Sequence, residues 1–500
     1  MSLAWGLFLL YLAGTAWLGW QGYRKTTGFG SFAVGNRAMN PLVVGITLAA
    51  SVSSASTFII NPGFVYVDGF GAFFHMSIGV GLGFMCMLSV LSFRFRRIGA
   101  ESGALTIPDW IGKRYGSRGY ALFFSLLNLL SFAFVVLLVG GISIVMQSLL
   151  GLSNVAALSV TLIFVTGYVF IGGTYAHVLT NMLQGSLMIA VTLLVLATCI
   201  GIAFEGPGSL VERLHTADPG LTALINPDGQ LFNDVFSIYV AGFVVGAIVV
   251  CQPHILTKAL YVKDDRSVVR YLIVFAVVFA LFQLLGAVGF FAHLTVPDTL
   301  LIDAETERFR QDLVMTMFLK SAFPDWVFTM VSIVLLAAAM STLDGLLVSM
   351  STITANDLVL NLRPGGQGQS EAESMAFAFK ASHVVLVLIA VAAFLVNLNP
   401  PRLLGIYGQT GVYGLTAAAA PPLLLGVLFR RVPLALAWSA SVLAISLHFL
   451  LFFKGNDWLP WLDLTLANPG VTASLAALVT IPPAILIAWV LNRSASRPSA

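Results

Sequence analysis

The chain has 500 residues, of which 58% are hydrophobic and 9% charged, and its mean hydropathy is +0.93. An ordinary soluble domain carries about 25% charged residues, so a water-soluble fold is excluded. The formal net charge of +3 is too small to point to a nucleic-acid partner.

Apolar runs of roughly 20 residues, enough to cross a hydrocarbon core of ~30 Å, recur from one end to the other. In the first half they are predicted at Leu3 to Trp20, Pro41 to Ile60, Gly71 to Phe93, Tyr120 to Leu149, Val155 to Phe170 and Met182 to Phe204. The second half offers Val235 to Val250, Tyr271 to His293, Trp326 to Ile353, Ser382 to Val396, Leu403 to Phe429, Val432 to Phe453 and Ala473 to Leu491. The expectation is an all-α integral membrane protein of about thirteen helices. The first run has no positive charge before it, and Arg24 and Lys25 follow it, so it reads as a retained helix with its N-terminus outside, not a secretory signal.

Threading alternate loops from that start puts 19 of the 25 basic residues on one side, Lys258 among them. Arg213, Arg308, Arg310, Lys320, Arg402 and Lys454 fall on the other side. That asymmetry marks the cytoplasmic face and places the C-terminus there. The protein is therefore expected as a multi-pass component of the inner (plasma) membrane. Cys86, Cys199 and Cys251 lie inside apolar runs without paired or metal-ligand spacing and read as small hydrophobes. The longest polar excursions are Glu205 to Asp234 and Leu294 to Asp325 outside, with the linker Asn361 to Ser374 inside. No GxxxxGK[ST] motif occurs, so energy for transport has to come from an ion gradient.

Polar residues inside the spans carry the functional signal. The second span holds five hydroxyls between Ser51 and Thr57 and then meets Pro62-Gly63. A helix broken at mid-membrane lines a cavity or is buried in protein, and unwound carbonyls and hydroxyls there suit a small hard cation. Single Ser and Thr residues in membrane helices also bond to their own backbone or join helices; the clustering favours an ion or substrate site. The ninth span carries Ala338, Ser341, Thr342 and Asp344, and Asp344 is the only carboxylate predicted deep within any span. A carboxylate at a helix centre costs roughly 2.5 to 3.5 kcal/mol, so it needs a partner or a task. The seventh span breaks at Gln252-Pro253-His254-Ile255. In the eleventh, Gly405-Ile406-Tyr407-Gly408-Gln409-Thr410-Gly411 fits either a moving gate or a closely packed glycine face.

Four stretches together resemble the sodium:solute symporter family: the Ser/Thr-rich broken helix, Gly172-Gly173 followed by Thr180-Asn181-Met182-Leu183-Gln184-Gly185, the Gln252-Pro253-His254-Ile255 corner, and Met340-Ser341-Thr342 with Asp344. The resemblance implies a LeuT-type fold of two inverted five-helix repeats, with one extra N-terminal and two extra C-terminal helices. The repeats would span 40–204 and 233–429, after a leading helix and loop at 1–39 and before two helices and a tail at 430–500. It also implies a sodium site formed by the carbonyls of Ala50, Ser53 and Ala338 and the hydroxyls of Ser341 and Thr342, with sodium as coupling ion and no cofactor. Where many relatives have Asp, this chain has Asn181, so one sodium is supported and a second is left open.

Ser54, Ser56, Thr57, Tyr407 and Gln409 are the substrate candidates and Asp344 the coupling candidate. The Ser54-Ala55-Ser56-Thr57-Phe58-Ile59 stretch looks more like the acetate and pantothenate permeases than the proline permease. The leading expectation is therefore import of a monocarboxylate or pantothenate-like anion. With no buried Lys or Arg expected, helix ends, hydroxyls and sodium would hold it. A proline-type amino-acid symporter and a non-transporting membrane sensor of the same fold are the alternatives. No nucleophile-base pair appears in any span, which argues against an enzyme. Solute, sodium and lipid are the expected partners; the sequence does not address oligomeric state.

Overall fold

The computed structural model describes residues 3–54, 56–302, 309–362, 370–401, 404–461 and 464–494. Arg308, Arg363, Arg402 and Arg497, counted above, and half of the Asn361 to Ser374 linker lie outside the described residues. The principal helices are α1 (Leu3–Tyr23), α2 (Pro41–Val52), α3 (Asn61–Phe73), α4 (Val80–Ser102), α5 (Phe132–Leu150), α6 (Asn154–Phe204) and α7 (Gly242–Val249). They continue with α8 (Asp265–Gln283), α9 (Asp325–Ile353), α10 (Glu371–Asn397), α11 (Leu404–Leu428), α12 (Leu434–Trp458) and α13 (Pro469–Ser494). Apart from one isolated bridge, Ile302 with Phe309, no strand occurs among the described residues.

Ten described helical stretches are long and apolar enough to cross a bilayer, eleven if the bent pair Phe236–Val249 and Pro253–Tyr261 is taken as one. This count differs from thirteen for a local reason. Ser56–Ser102 and Asn154–Phe204 run on as single stretches, yet each contains one glycine with non-helical backbone, Gly69 (φ 60°, ψ −135°) and Gly173 (φ 48°, ψ −133°). Residues with a Cβ rarely adopt such angles. The 12-residue α2 is also too short to count alone.

Two interruptions organise the bundle. Pro41 opens α2 at the first helical position, and the Asn40 side chain accepts from Leu42 N, a favoured start. The helix then stops at Ser53 (φ −85°, ψ 73°), and the chain resumes as a wide turn at Ser56–Ile60 before α3. The second break follows α7. Gln252 is extended (φ −64°, ψ 138°) before Pro253, as the residue ahead of a proline must be, and the two flanking segments are bent by 65°. α6 packs against α1, α2 and α9, α4 against α7, α2 against α8, and α11 to α13 against one another. The broken α2 therefore lies against both α6 and α9.

Many of the basic residues gather at one end of the bundle. On the basic side, Arg37 donates to Gly99 O and Ala104 O, and Arg96 and Arg97 both reach Asp265. Arg114 donates to Gly426 O (2.9 Å) and Phe429 O (2.6 Å), and Arg94 to Val427 O (2.7 Å). These are terminal carbonyls of α11, which the helix itself leaves unpaired. Asp264 caps α8 from the same side, accepting from Ser267 N at 2.8 Å; that bond holds its carboxyl below the usual range. On the opposite side Tyr66 donates to Asp298, Thr465 to Asn233 (2.9 Å), and the Asp68 carboxylate accepts from Gln230 N and Leu231 N.

A Cβ at Gly173 would sit 2.4 Å from the Phe32 ring and 2.8 Å from Phe32 O, whereas at Gly167 it would meet nothing within 4 Å. Gly173→Ala should therefore destabilise the protein by roughly 2 kcal/mol through backbone strain, and Gly167→Ala should be neutral or slightly stabilising. Tryptophan-monitored thermal unfolding in detergent checks this; equal midpoints for the two variants would refute the account of the break.

Candidate functional site

Where α2 ends, its last turn faces the middle of α9. Ser341 Oγ lies 2.9 Å from Ala50 O and 2.7 Å from Ala338 O, and Thr342 Oγ1 donates to Ser51 O at 2.9 Å. Asn181 Nδ2, from α6, donates to Ser51 Oγ (2.9 Å) and Ser341 O (2.7 Å). All of these residues are at most 1% exposed. The structure thus brings Ala50, Ala338 and Ser341 into one cluster of oxygens and sets Thr342 one residue along, on Ser51. Ser53 is fully buried at the helix end; its Oγ has no partner, and its N–H returns to Ala49 O. An all-oxygen, uncharged set of carbonyls and hydroxyls is chemistry for a hard cation, not for a transition metal.

Asp344 sits two residues beyond Thr342 and is fully buried. It accepts from Tyr168 Oη (3.0 Å), Thr180 Oγ1 (3.2 Å) and His177 Nδ1 (2.8 Å), which explains how a carboxylate persists there. It is not the sole carboxylate inside the helices: Asp68 is 1% and Asp357 2% exposed. Sequence patterning put Asp68 in a loop and Asp357 beyond the ninth span. Both lie in helix, Asp68 under the outer loop and Asp357 bonded to Thr106 Oγ1.

A second difference matters more. Lys258 is completely buried, with Nζ donating to Thr47 O (3.0 Å) and Ser51 Oγ (2.7 Å). The sequence reading placed it in a cytoplasmic loop because it follows Pro253. The 65° bend instead turns that segment back into the bundle. No ion pair involving it occurs among the described residues, and its Nζ rests on neutral oxygens, one hydroxyl away from Ser341 O.

A cavity of about 780 Å³, open solvent included, adjoins this cluster. Ser54, Ser56, Thr57 and Gln409 line it, with Asn61, Gln252, Gln283 and His254 as further polar groups and Val245, Val249, Phe84 and Phe279 among the apolar ones. No Lys, Arg, Asp or Glu is among the described lining residues. Tyr407 does not line it and is 42% exposed; the turn of α11 that presents Gln409 to the cavity points Tyr407 outward. Gln283 was missed because nothing near it in sequence marks it; Asn61, between the hydroxyl cluster and Pro62-Gly63, carried a signal that went unused. His177, Thr180, Asn181 and Gln184 carried a usable signal, since their spacing of three, four and seven puts one polar stripe on an apolar helix.

Residues 32–443 match the sodium:solute symporter family. The chain is 28% identical to the sodium/pantothenate symporter of Haemophilus influenzae, covering 89% of each protein. It is 26% identical to the sodium/proline symporter of Escherichia coli, over 85% of this chain and 82% of that one. In structure it resembles a sodium-coupled sialic acid symporter, with a TM-score of 0.74 at 17% identity over 97% of this chain and 98% of the other. That likeness shows the shared fold.

Asp344→Asn keeps the shape but sets an amide against three donors. Removing one member of a buried charged network costs on the order of 3 kcal/mol, so the thermal midpoint should fall clearly, while Asp325→Asn at the exposed start of α9 should leave it in place. An unchanged midpoint for Asp344→Asn would mean that the network does not hold the helices together.

Proposed function

The chain belongs to the sodium:solute symporter family, and on that premise we propose that it is a sodium-driven importer of a small organic anion of the pantothenate type. The observation that carries the proposal is the adjacency of the Ser341 oxygen cluster to a cavity rich in hydroxyls and amides. In this reading sodium is held by Ala50, Ser53, Ala338, Ser341 and Thr342, tying the broken α2 to α9. The ion takes up carbonyls that Ser341 otherwise occupies, and its charge lies beside the cavity that receives the anion. The bundle then alternates between facing the two sides of the membrane.

Several features support a pantothenate-like solute over bare acetate. The cavity's amides suit a solute with hydroxyl and amide groups of its own, which acetate lacks. Lys258 does not line it, so the carboxylate would rest on hydroxyls, amides, His254 and the sodium. The second reading, a proline-type symporter, is favoured by the comparable likeness to the proline symporter.

Further expectations accompany the proposal. The basic side is cytoplasmic, with the N-terminus outside and the C-terminus inside, in the plasma membrane. The repeats run over 40–204 and 233–429, each opening with a broken helix. The solute crosses without covalent change, so the protein is no enzyme.

Uptake of labelled pantothenate, acetate and proline into proteoliposomes tests the proposal. Ser341→Ala should raise the sodium concentration for half-maximal uptake roughly tenfold or more, because it removes a ligand oxygen, and the double variant with Thr342→Ala should abolish accumulation. Gln409→Ala should raise the apparent KM for the solute while Tyr407→Phe leaves it unchanged. Sodium-independent uptake, or sodium-stimulated binding with no accumulation, would sink the symport reading, the latter in favour of a sensor. One sodium carried with a monovalent anion moves no net charge, so uptake should ignore an imposed potential; a zwitterion would gain about 2.3 kcal/mol per 100 mV.

A further inference from the structure

Lys258 belongs neither to the oxygen cluster nor to the cavity wall, and the role inferred for it rests on the transport reading above. It sits on the bent segment that follows the second break, one helical turn past His254. A lysine near the end of a span ordinarily runs its stem outward and keeps its amine in water. Lys263, a little further on, is exposed in that way, but Lys258 is completely buried. An amine in a membrane interior is costly, and its cost points to a task.

The contacts of the amine define that task. The bent segment lies along α2 and is joined to it at two places. Tyr261 O accepts from Met39 N at 2.9 Å, just before α2 begins, and Lys258 Nζ donates to Thr47 O (3.0 Å) and Ser51 Oγ (2.7 Å) toward its end. Ser51 Oγ is fully used: it accepts from Lys258 Nζ and from Asn181 Nδ2 (2.9 Å), and it donates to Ser341 O (3.3 Å). A hydroxyl has one proton to give and two lone pairs to receive, so this one has no freedom left to turn, and a shift of Ser341 is felt at Lys258. From the start of the same bent segment, Gln252 and His254 line the central cavity.

We propose that Lys258 is the positioning residue that couples the cation cluster to the solute cavity. In the transport reading the ion draws Ala50 O and Ala338 O away from Ser341 Oγ, and Ser341 and Ser51 resettle together. The amine carries that adjustment to the corner, which presents Gln252 and His254 to the solute. By linkage the effect runs both ways: a solute seated against the corner holds Lys258, and through Ser51 it holds the cluster ready for the ion. The amine thus ties one broken helix to the other.

The coupling factor, the ratio of solute affinities with and without sodium, is the quantity to measure. Equilibrium binding of labelled pantothenate, acetate and proline to the purified protein is followed at zero and at saturating sodium, and labelled sodium binding is followed alone. The wild type should show a factor of about tenfold or more for the transported solute, a usual size for linked sites. Lys258→Met keeps the stem and removes the donors; its factor should fall below about threefold, while solute affinity without sodium stays within about twofold. Lys258→Arg, which still donates, should recover most of the factor. Ser51→Ala removes the relaying hydroxyl without altering Lys258, so it should lower the factor in the same way even where Lys258→Met fails to fold. A merely structural role would weaken sodium and solute binding separately and leave the factor intact in Lys258→Met, which would overturn the proposal. Tighter sodium binding in Lys258→Met with an unchanged factor would also overturn it, making Lys258 only a repelling neighbour of the ion. An unchanged factor in Ser51→Ala would do the same. Absence of sodium-stimulated binding of every solute in the wild type would instead defeat the transport reading itself.

Discussion

A helix that stops in the middle of a membrane must find partners for the backbone groups it frees, because hydrocarbon offers none. Everything near the site follows from how α2 meets that demand. Its end is met from α9 by Ser341 and Thr342 and from α6, through Ser51 and Ser341 O, by Asn181. The oxygens satisfying the break are the same oxygens a hard cation needs. On the proposed reading, cation binding and the joining of α2 to α9 become one event.

The distribution of fixed charge follows from the same economy. Asp344 lies behind the cluster within three donors, and the Lys258 amine on the other side of Ser51, so neither projects into the cavity. The cavity keeps neutral walls. A solute that enters meets hydroxyls, amides and an imidazole, and an anion gains its countercharge from the ion that arrives with it. On the proposed reading, coupling needs no charged residue in the cavity, since solute and sodium each make the other's place more favourable.

Much of this was legible in the sequence. Long apolar runs gave the spans, the hydroxyl cluster with Pro62-Gly63 gave the first break, and Pro253 gave the second. Ala50, Ala338 and Ser341 were singled out in the sequence, and the structure brings their oxygens together. Lys258 was illegible because a charge just past a proline reads as a loop, and only the angle of the break returns it to the interior. Tyr407 and Gln409 are two residues apart on one helix, and sequence spacing alone does not say which of them faces inward. The glycine breaks at 69 and 173 separate spans that hydropathy divides cleanly but helix geometry runs together. Each miss concerns rotation about a helix axis or the direction of a bend, quantities fixed by neighbours distant in sequence.

The arginines that close the end of α11 carry one more implication. During synthesis, positive charges near span ends decide which loops stay on the near side of the membrane. Arg94 and Arg114 later donate to the carbonyls of Gly426, Val427 and Phe429. On the proposed orientation, the signal read at insertion and the helix cap are the same two side chains, used at different times. Lysine in their place would preserve the message read at insertion but not the planar fork that reaches several carbonyls at once. A chain so altered would be threaded correctly and assembled loosely, so that a fault in biogenesis and a fault in folding, usually hard to tell apart, would separate at these two positions.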